Sequence, residues 1–520
     1  MSRSRPLGTG TTFPVGTYPP GPVGRREDRV LSLLFAGTAV LLAAPSLLSV
    51  NSRLIAVLLA CFLAQCVYGA ARSIAAGYRL LQTIFWTFSG CYLAVPAIYQ
   101  VSTGQAAWGD DFIYNNEDRL LVTLLIINLA YGMFAVGAAG RSRAWDEQRY
   151  IGTVRPTRSV RQPMVDKSSG SIAARPSRRS STLIPVAYCA LSFMLLPLVI
   201  IRSGGISTLV SSRGERNDVL AAAGISQEIS GGVAVAVVKI LPGALALASV
   251  YILLLRWRQG HRPRLLVLIA AASLLFLYSN PFANTRYIAV TALVAPLLVV
   301  LRPRTVRSMA IVAAALVVGV LGIYPLANAF RAPDAQAKTI ALADIDFDGF
   351  QQLVNTREYV EDQGHTWGHH LGSAVLFALP RQVWPDKAVP ASIPVAENRG
   401  YRFTNLSLPL PGEFYLEFGI FGAAAAMFLW GRGWRRLDEA WAVNTDTVAG
   451  GIAGYLAVAQ LGLLRGPVGS IVPIYATTVL LLVIALRAAR PAKASRPLNL
   501  GQTTRRLGPT RGVPHERAES

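Results

Sequence analysis

The stretch GGVAVAVVKILPGALALASV occupies residues 231–250, and its only charged residue is Lys239. A helical apolar run of about 20 residues can cross a hydrocarbon core of roughly 30 Å. Similar runs recur along the 520 residues, of which 52% are hydrophobic and 15% charged, whereas soluble domains carry about 25% charged residues. The composition therefore predicts an all-α integral membrane protein.

Twelve apolar runs can be placed, and this even number puts both termini on the same side of the membrane. Basic residues cluster in the links 141–179, 256–264, 302–307 and 432–436. Links rich in Lys and Arg remain in the cytoplasm, so both termini are predicted to be cytoplasmic. The predicted spans are 30–50, 53–71, 80–100, 119–140, 182–202, 231–255, 265–281, 287–301, 308–328, 412–431, 445–464 and 470–488.

The remaining stretches define the predicted organisation around a polytopic domain at 30–488. The ends, 1–29 and 489–520, are polar and are predicted to be disordered in the cytoplasm. A basic cytoplasmic loop is predicted at 141–181, and an external loop at 203–230. The large external loop, 329–411, falls between spans 9 and 10.

The net charge of +22 does not indicate a nucleic-acid partner, because the charge is concentrated in the cytoplasmic links. This placement reflects membrane topology and allows contact with anionic lipid headgroups. The expected location is the cytoplasmic (inner) membrane, with multiple spans.

The external loop at 329–411 is too long to be a plain connector. Phe350, Leu353 and Val354 recur at helical spacing, which predicts an amphipathic helix. LGSAVLFALP, at 371–380, is apolar but too short to cross the bilayer, so we expect a re-entrant or interfacial segment there.

Two motifs carry a family resemblance. PRQVWPDK at 380–387, followed by GEFYLEFGIFG at 412–422, resembles the Wzy-type oligosaccharide repeat-unit polymerases (O-antigen polymerases), with the best match over 280–425. The resemblance implies an enzyme that joins polyprenyl-pyrophosphate-linked oligosaccharide units on the outer face of the membrane. It implies neither metal nor nucleotide-sugar cofactor. A flippase and a chain-length regulator are the expected protein partners.

External basic residues are candidates for binding the pyrophosphate, because guanidinium groups form paired hydrogen bonds with phosphate oxygens. Each could instead pair with a nearby acid, as Arg357 with Glu361 or Lys387 with Asp386. Arg286 has no acid near it in sequence. Lys239 is expected to face a polar cavity within its span. The candidate binding residues are Arg213, Arg216, Lys239, Arg286, Arg331, Arg381 and Lys387.

Glycosyl transfer also needs a group that takes the proton of the acceptor hydroxyl. GHTWGHHLG, at 364–372, offers His369 and His370, and Glu413 at the start of a span is the rival base. His365 and His369 are four residues apart, as in metal-binding helices. The neighbouring glycines disfavour a helix and no third ligand is evident, so no metal site is predicted.

Other readings stay open at this stage. A ligase that transfers finished glycan has the same chemistry, and a transporter or flippase of the same lipid-linked glycan is the alternative from another class. GDD at 109–111 resembles the acidic pair of metal-dependent lipid-linked glycosyltransferases. Trp367, Trp384 and Tyr401 are candidates to stack on sugar rings or to anchor at the membrane interface.

Overall fold

The computed structural model describes residues 25–109, 113–140, 180–203, 205–211, 236–281, 283–323, 342–404, 406–443 and 447–488. Within these ranges the regular secondary structure is helical, without strands. Nine of the described helices are long and apolar enough to cross a membrane, and three shorter apolar helices accompany them. The protein is therefore an α-helical, multi-pass membrane protein, as the composition predicts.

Twelve apolar helices follow the predicted spans in order. The first begins at Arg25, so residues 25–29 are helical where disorder was predicted. The helices are α1 (Arg25–Leu48), α2 (Arg53–Ala76), α3 (Leu80–Thr103), α4 (Glu117–Ala138), α5 (Ser180–Arg202), α6 (Val238–Arg258), α7 (Leu265–Ser279), α8 (Arg286–Leu301), α9 (Val306–Ile323), α13 (Leu410–Val443), α14 (Val448–Arg465) and α15 (Val468–Ala488).

Among the described residues between α9 and α13 there are three α-helices. They are α10 (Gly349–Gln363), α11 (His369–Val375) and α12 (Ser392–Asn398). The described residues 342–404 and 406–409, here called the segment, pack over one end of the helix bundle, the segment end. Most of the predicted loops 141–181 and 203–230, the tail 489–520 and residues 324–341 lie outside the described residues.

The bundle forms because helices satisfy their backbone hydrogen bonds internally, which a lipid environment requires. Small residues let neighbouring helices approach closely. Gly431 of α13 packs directly on the backbone of α4 at Phe134, and Gly137 of α4 packs on the backbone of α13 at Phe428, so a Cβ at either glycine would overlap the facing carbonyl. This contact packs α13 tightly against α4.

The end opposite the segment collects the short connections between α2 and α3 and between α8 and α9. Gly77 lies against Thr305 there, and Asp438 accepts a hydrogen bond from the Leu81 backbone at 2.7 Å. The described connections at this opposite end carry Arg79, Arg262, Arg264, Arg302 and Arg304. The described connections with basic residues therefore share one end of the bundle, whereas the predicted basic link 432–436 lies within α13.

The segment is folded and attached to the bundle. Helix α10 buries Phe350, Leu353 and Val354, as the spacing predicts. Glu358, one helical turn after Val354, lies 3.0 Å from Arg119 of α4, and this ion pair ties α10 to α4. The stretch 371–380 forms most of α11 and turns, which are too short to span a membrane.

Candidate functional site

Two arginines share one carboxylate at the segment end. Arg286 is the first residue of α8, and its Nη1 lies 3.0 Å from Asp346 Oδ2. Arg465 is the last residue of α14, and its Nη2 lies 3.6 Å from Asp346 Oδ1. All three side chains are at most 24% exposed. We call Arg286 and Arg465 the arginine pair.

The fold supplies an acid that the local sequence around Arg286 lacks. Asp346 lies 60 positions further along the chain, in the segment. Of these three residues, only Arg286 was predicted from the sequence to bind substrate. Arg465 had the same signal as Arg286, because both lie at short turns that were predicted to be external.

Asp348, two residues after Asp346, holds the same part of the segment in place. It is buried and accepts hydrogen bonds from Trp108 Nε1 at 2.9 Å and from the Ser407 backbone at 3.3 Å. Burial raises the pKa of Asp348, while the nearby Arg465 opposes that rise. The side chain therefore anchors the segment rather than facing an open surface.

The turn 465–469 between α14 and α15 contacts both the segment and α13. The Leu408 backbone donates to Arg465 O at 2.9 Å, and the Val468 backbone donates to Glu413 Oε2 at 2.6 Å. Pro390 packs against Gly469, where an added Cβ would lie 3.1 Å from Pro390 Cα. The turn thus joins the arginine pair to α13 and to the segment at Pro390.

Glu413, the predicted rival base, has no exposed surface. Its Oε2 caps the first turn of α15, and its Oε1 has no hydrogen-bond partner among the described residues. A backbone N–H at a helix start lacks an intrahelical acceptor, so a carboxylate there stabilises the helix. The observed contact therefore supports a capping role for Glu413.

Glu417, one turn further along α13, holds the loop 364–390. It accepts hydrogen bonds from Thr366 Oγ1 at 2.9 Å, from the Gly368 backbone at 2.6 Å and from the Leu371 backbone at 3.1 Å. The backbone of α13 departs from helical geometry at Gly419, with φ 69°. This break makes room for the loop beside α13.

The loop 364–390 fixes its two neighbouring histidines in opposite tautomers. His369 Nε2 lies 2.7 Å from Asp386 O, and His370 Nδ1 lies 2.8 Å from Val389 O. Since a carbonyl only accepts, the contacting nitrogen carries the proton in each ring. The other nitrogen, Nδ1 of His369 and Nε2 of His370, is then the acceptor in the neutral ring. His369 is exposed and His370 is buried.

Lys387 and Arg381 were predicted to bind substrate, but both donate hydrogen bonds to backbone carbonyls of the loop 364–390. Lys387 Nζ donates to Phe377 O at 2.7 Å and to Leu379 O at 2.9 Å rather than to Asp386. Arg381 Nη1 donates to Lys387 O at 2.7 Å. Burial and the nearby Arg381 lower the pKa of Lys387. Lys387 is thus a structural cation, while Arg381 is exposed.

Several predicted residues do not join this cluster. Lys239 lies in the first described turn of α6, and its side chain is exposed. The predicted Arg357–Glu361 pair is confirmed at 2.7 Å.

His365 precedes α11, so it does not share a helix with His369. The described residues contain no cluster suited to a metal ion. Arg213, Arg216, Arg331, Asp110 and Asp111 lie outside the described residues.

The aromatic candidates have different surroundings. Trp367 is 75% exposed and has a positive φ of 50°. Trp384 is half-buried, with its ring centroid 6.0 Å from that of His369. Tyr401 stacks on Trp108 with centroids 6.1 Å apart. Trp367 therefore offers the most open aromatic surface of the three.

No protein-family model matches the chain, and neither the curated proteins nor the solved structures contain a match.

Proposed function

We propose that this protein is a membrane glycosyltransferase that polymerises polyprenyl-diphosphate-linked oligosaccharide repeats into a surface polysaccharide. The observation that carries the proposal is the arginine pair, whose two guanidinium groups both contact the carboxylate of Asp346. The two guanidinium groups are held at the ends of apolar helices. They can bind a diphosphate that its lipid chain keeps at the membrane surface. The resemblance of 380–387 and 412–422 to repeat-unit polymerases points to the same chemistry.

In this proposal the segment end faces outward. The basic connections at the opposite end support that orientation, because loops rich in Arg remain in the cytoplasm. The donor would then meet the acceptor glycan beneath the segment, outside the cytoplasmic membrane.

The reaction assigns different tasks to the two parts of the site. The acceptor hydroxyl oxygen bonds to the anomeric carbon of the donor, and its proton passes to Nδ1 of His369. The bond between the anomeric carbon and the diphosphate oxygen breaks with its electron pair, so polyprenyl diphosphate leaves. The arginine pair stabilises the charge that develops on that leaving group.

His369 is preferred as the base over His370 and Glu413 because of exposure. Its acceptor nitrogen belongs to an exposed ring that is oriented by Asp386 O. His370 is buried, and Glu413 has no exposed surface. A general base must come within hydrogen-bond reach of the hydroxyl that it deprotonates.

The test is the glycan profile of cells that lack this gene, measured on surface and lipid-linked polysaccharide by gel and mass spectrometry. Accumulation of single lipid-linked repeats on the outer leaflet is the expected result. Long lipid-linked polymer that is never transferred would indicate a ligase instead. Repeats trapped on the cytoplasmic leaflet would indicate a flippase, and either of these results would overturn the proposal.

A further inference from the structure

A large apolar groove lies on a different part of the bundle from the arginine pair. It runs between α1, α2, α3 and α9 and has a volume of about 910 Å³. That volume is near the upper end of the roughly 300–1,000 Å³ range of small-molecule sites. Its lining is almost entirely apolar, with Cys66, Trp86 and Ile98 among the wall residues. The groove therefore suits a hydrocarbon rather than a sugar.

The groove is long as well as apolar. On α9 alone its lining runs from Val306, near the opposite end, to Leu321, near the segment end. At 1.5 Å per residue these positions are about 22 Å apart, most of the roughly 30 Å hydrocarbon core. Ala310 and Ala314 lie on the same face of α9, where their short side chains leave the groove open.

The segment end of the groove reaches the loop that carries Asp346. Leu342 and Tyr99 line this end. Gln100, next to Tyr99, donates to Leu342 O at 2.8 Å and to Phe347 O at 2.9 Å. Phe347 follows Asp346 directly in the chain. One buried glutamine thus joins the end of the groove to the backbone beside the arginine pair.

We propose that this groove binds the isoprenoid chain of the lipid-linked donor. This inference rests on the proposed function. Its occupant must be apolar over most of its length and anionic at one end, because the arginine pair borders only the segment end. A single long hydrocarbon chain with a terminal diphosphate has both properties. Burial of its methylene groups in the groove would keep the diphosphate beside Arg286 and Arg465.

Photo-crosslinking tests the inference on the purified full-length chain in detergent. The probe is a polyprenyl diphosphate with a benzophenone near the far end of its chain, and labelled peptides are identified by mass spectrometry. Labelling should concentrate on the groove faces of α2 and α9. An excess of unlabelled polyprenyl diphosphate should remove it, whereas an equal excess of phosphatidylglycerol should not.

Two neighbouring residues provide a matched pair of variants. Ala314 lines the groove, whereas Ala315 is exposed on α9 outside it. Ala314→Phe should reduce labelling at least about tenfold, because the new ring takes the volume of several chain methylenes. Ala315→Phe adds the same ring to the same helix and should leave labelling unchanged. Elution as a single species in size-exclusion chromatography checks that both variants fold.

The possible outcomes separate this inference from the proposed function. Even labelling over all lipid-facing helices, or equal competition by phosphatidylglycerol, would show that the groove is not the binding site of the isoprenoid chain. Neither result would contradict the proposed polymerase activity. Specific diphosphate binding with labels outside the groove would lead to the same conclusion. If the protein retains no polyprenyl diphosphate above background, the proposed function fails together with the groove.

Discussion

Arg286 and Asp346 form a 3.0 Å ion pair between the start of an apolar helix and a segment 60 positions away in the chain. Arg465 approaches the other oxygen of the same carboxylate. A partly buried carboxylate can orient two guanidinium groups, because each of its oxygens accepts hydrogen bonds. The pairing thus explains how arginines are fixed at the surface where a diphosphate would arrive, and it makes their roles testable.

Arg465→Lys should reduce polymerisation by at least about tenfold, because an ammonium keeps the charge but loses the planar fork of donors. Arg399 lies in the segment and pairs with Glu358 at 2.5 Å, away from the arginine pair. Arg399→Lys is therefore the control and should lower activity much less. The measurement is polymer length in cells that lack the chromosomal gene and carry each variant. Equal losses in both variants would assign Arg465 a structural role.

The opposite tautomers of His369 and His370 allow each to be replaced without losing its hydrogen bond. In His369→Gln the amide can still donate to Asp386 O, but no basic nitrogen remains. Loss of a general base typically costs about 10²–10⁴-fold in rate, so we expect that loss in polymerisation by membranes supplied with lipid-linked repeats.

His370→Asn is the matched control for this prediction. Its amide can replace the Nδ1 donor to Val389 O, and His370 is buried. Activity should stay within about tenfold of wild type, because the retained hydrogen bond avoids the misplacement of about 1 Å that can cost about 10²-fold. If His370→Asn is inactive while His369→Gln is active, the base has been assigned to the wrong histidine.

Much of the fold follows from the sequence, because a lipid environment restricts the chain to a few solutions. The twelve apolar helices and the buried face of α10 coincide with runs and spacings that are readable residue by residue. The number of helices that cross the membrane, and which end faces outward, stay predictions.

The site was less accessible to sequence reasoning, since its contacts join distant positions. Arg286 could be singled out from its place in a short turn, but Asp346 has no local feature that assigns it to that arginine. The capping of α15 by Glu413 likewise depends on how α13 and α15 meet. A carboxylate at a predicted membrane surface has the same sequence signature whether it caps a helix or accepts a proton.

Glu413→Gln separates those two roles. The amide oxygen can still accept from the Val468 backbone, so a capping residue should tolerate this change with most of its activity retained. Glu413→Ala leaves that donor unpaired and should destabilise the protein by about 1–3 kcal/mol, seen as a lower midpoint in thermal unfolding in detergent. An inactive Glu413→Gln with unchanged thermal stability would instead restore Glu413 as a candidate base.

Two glycines of α13 should respond to alanine with opposite signs. Gly419 has φ 69°, and an added Cβ would lie 3.1 Å from His365 Nε2. Gly419→Ala should therefore cost about 1–2 kcal/mol and disturb the loop 364–390, so activity falls with stability. An added Cβ at Gly433 meets no atom within 4 Å, and the backbone there is helical.

Gly433→Ala should stabilise the protein by up to about 1 kcal/mol, because alanine favours the helix over glycine. Thermal unfolding of both variants in the same detergent measures the difference, and polymer length reports the state of the loop. A Gly419→Ala variant as stable and active as wild type would mean that the break in α13 does not position the loop 364–390. In that case the orientation of His369 would depend on its bond to Asp386 O and on Glu417 alone.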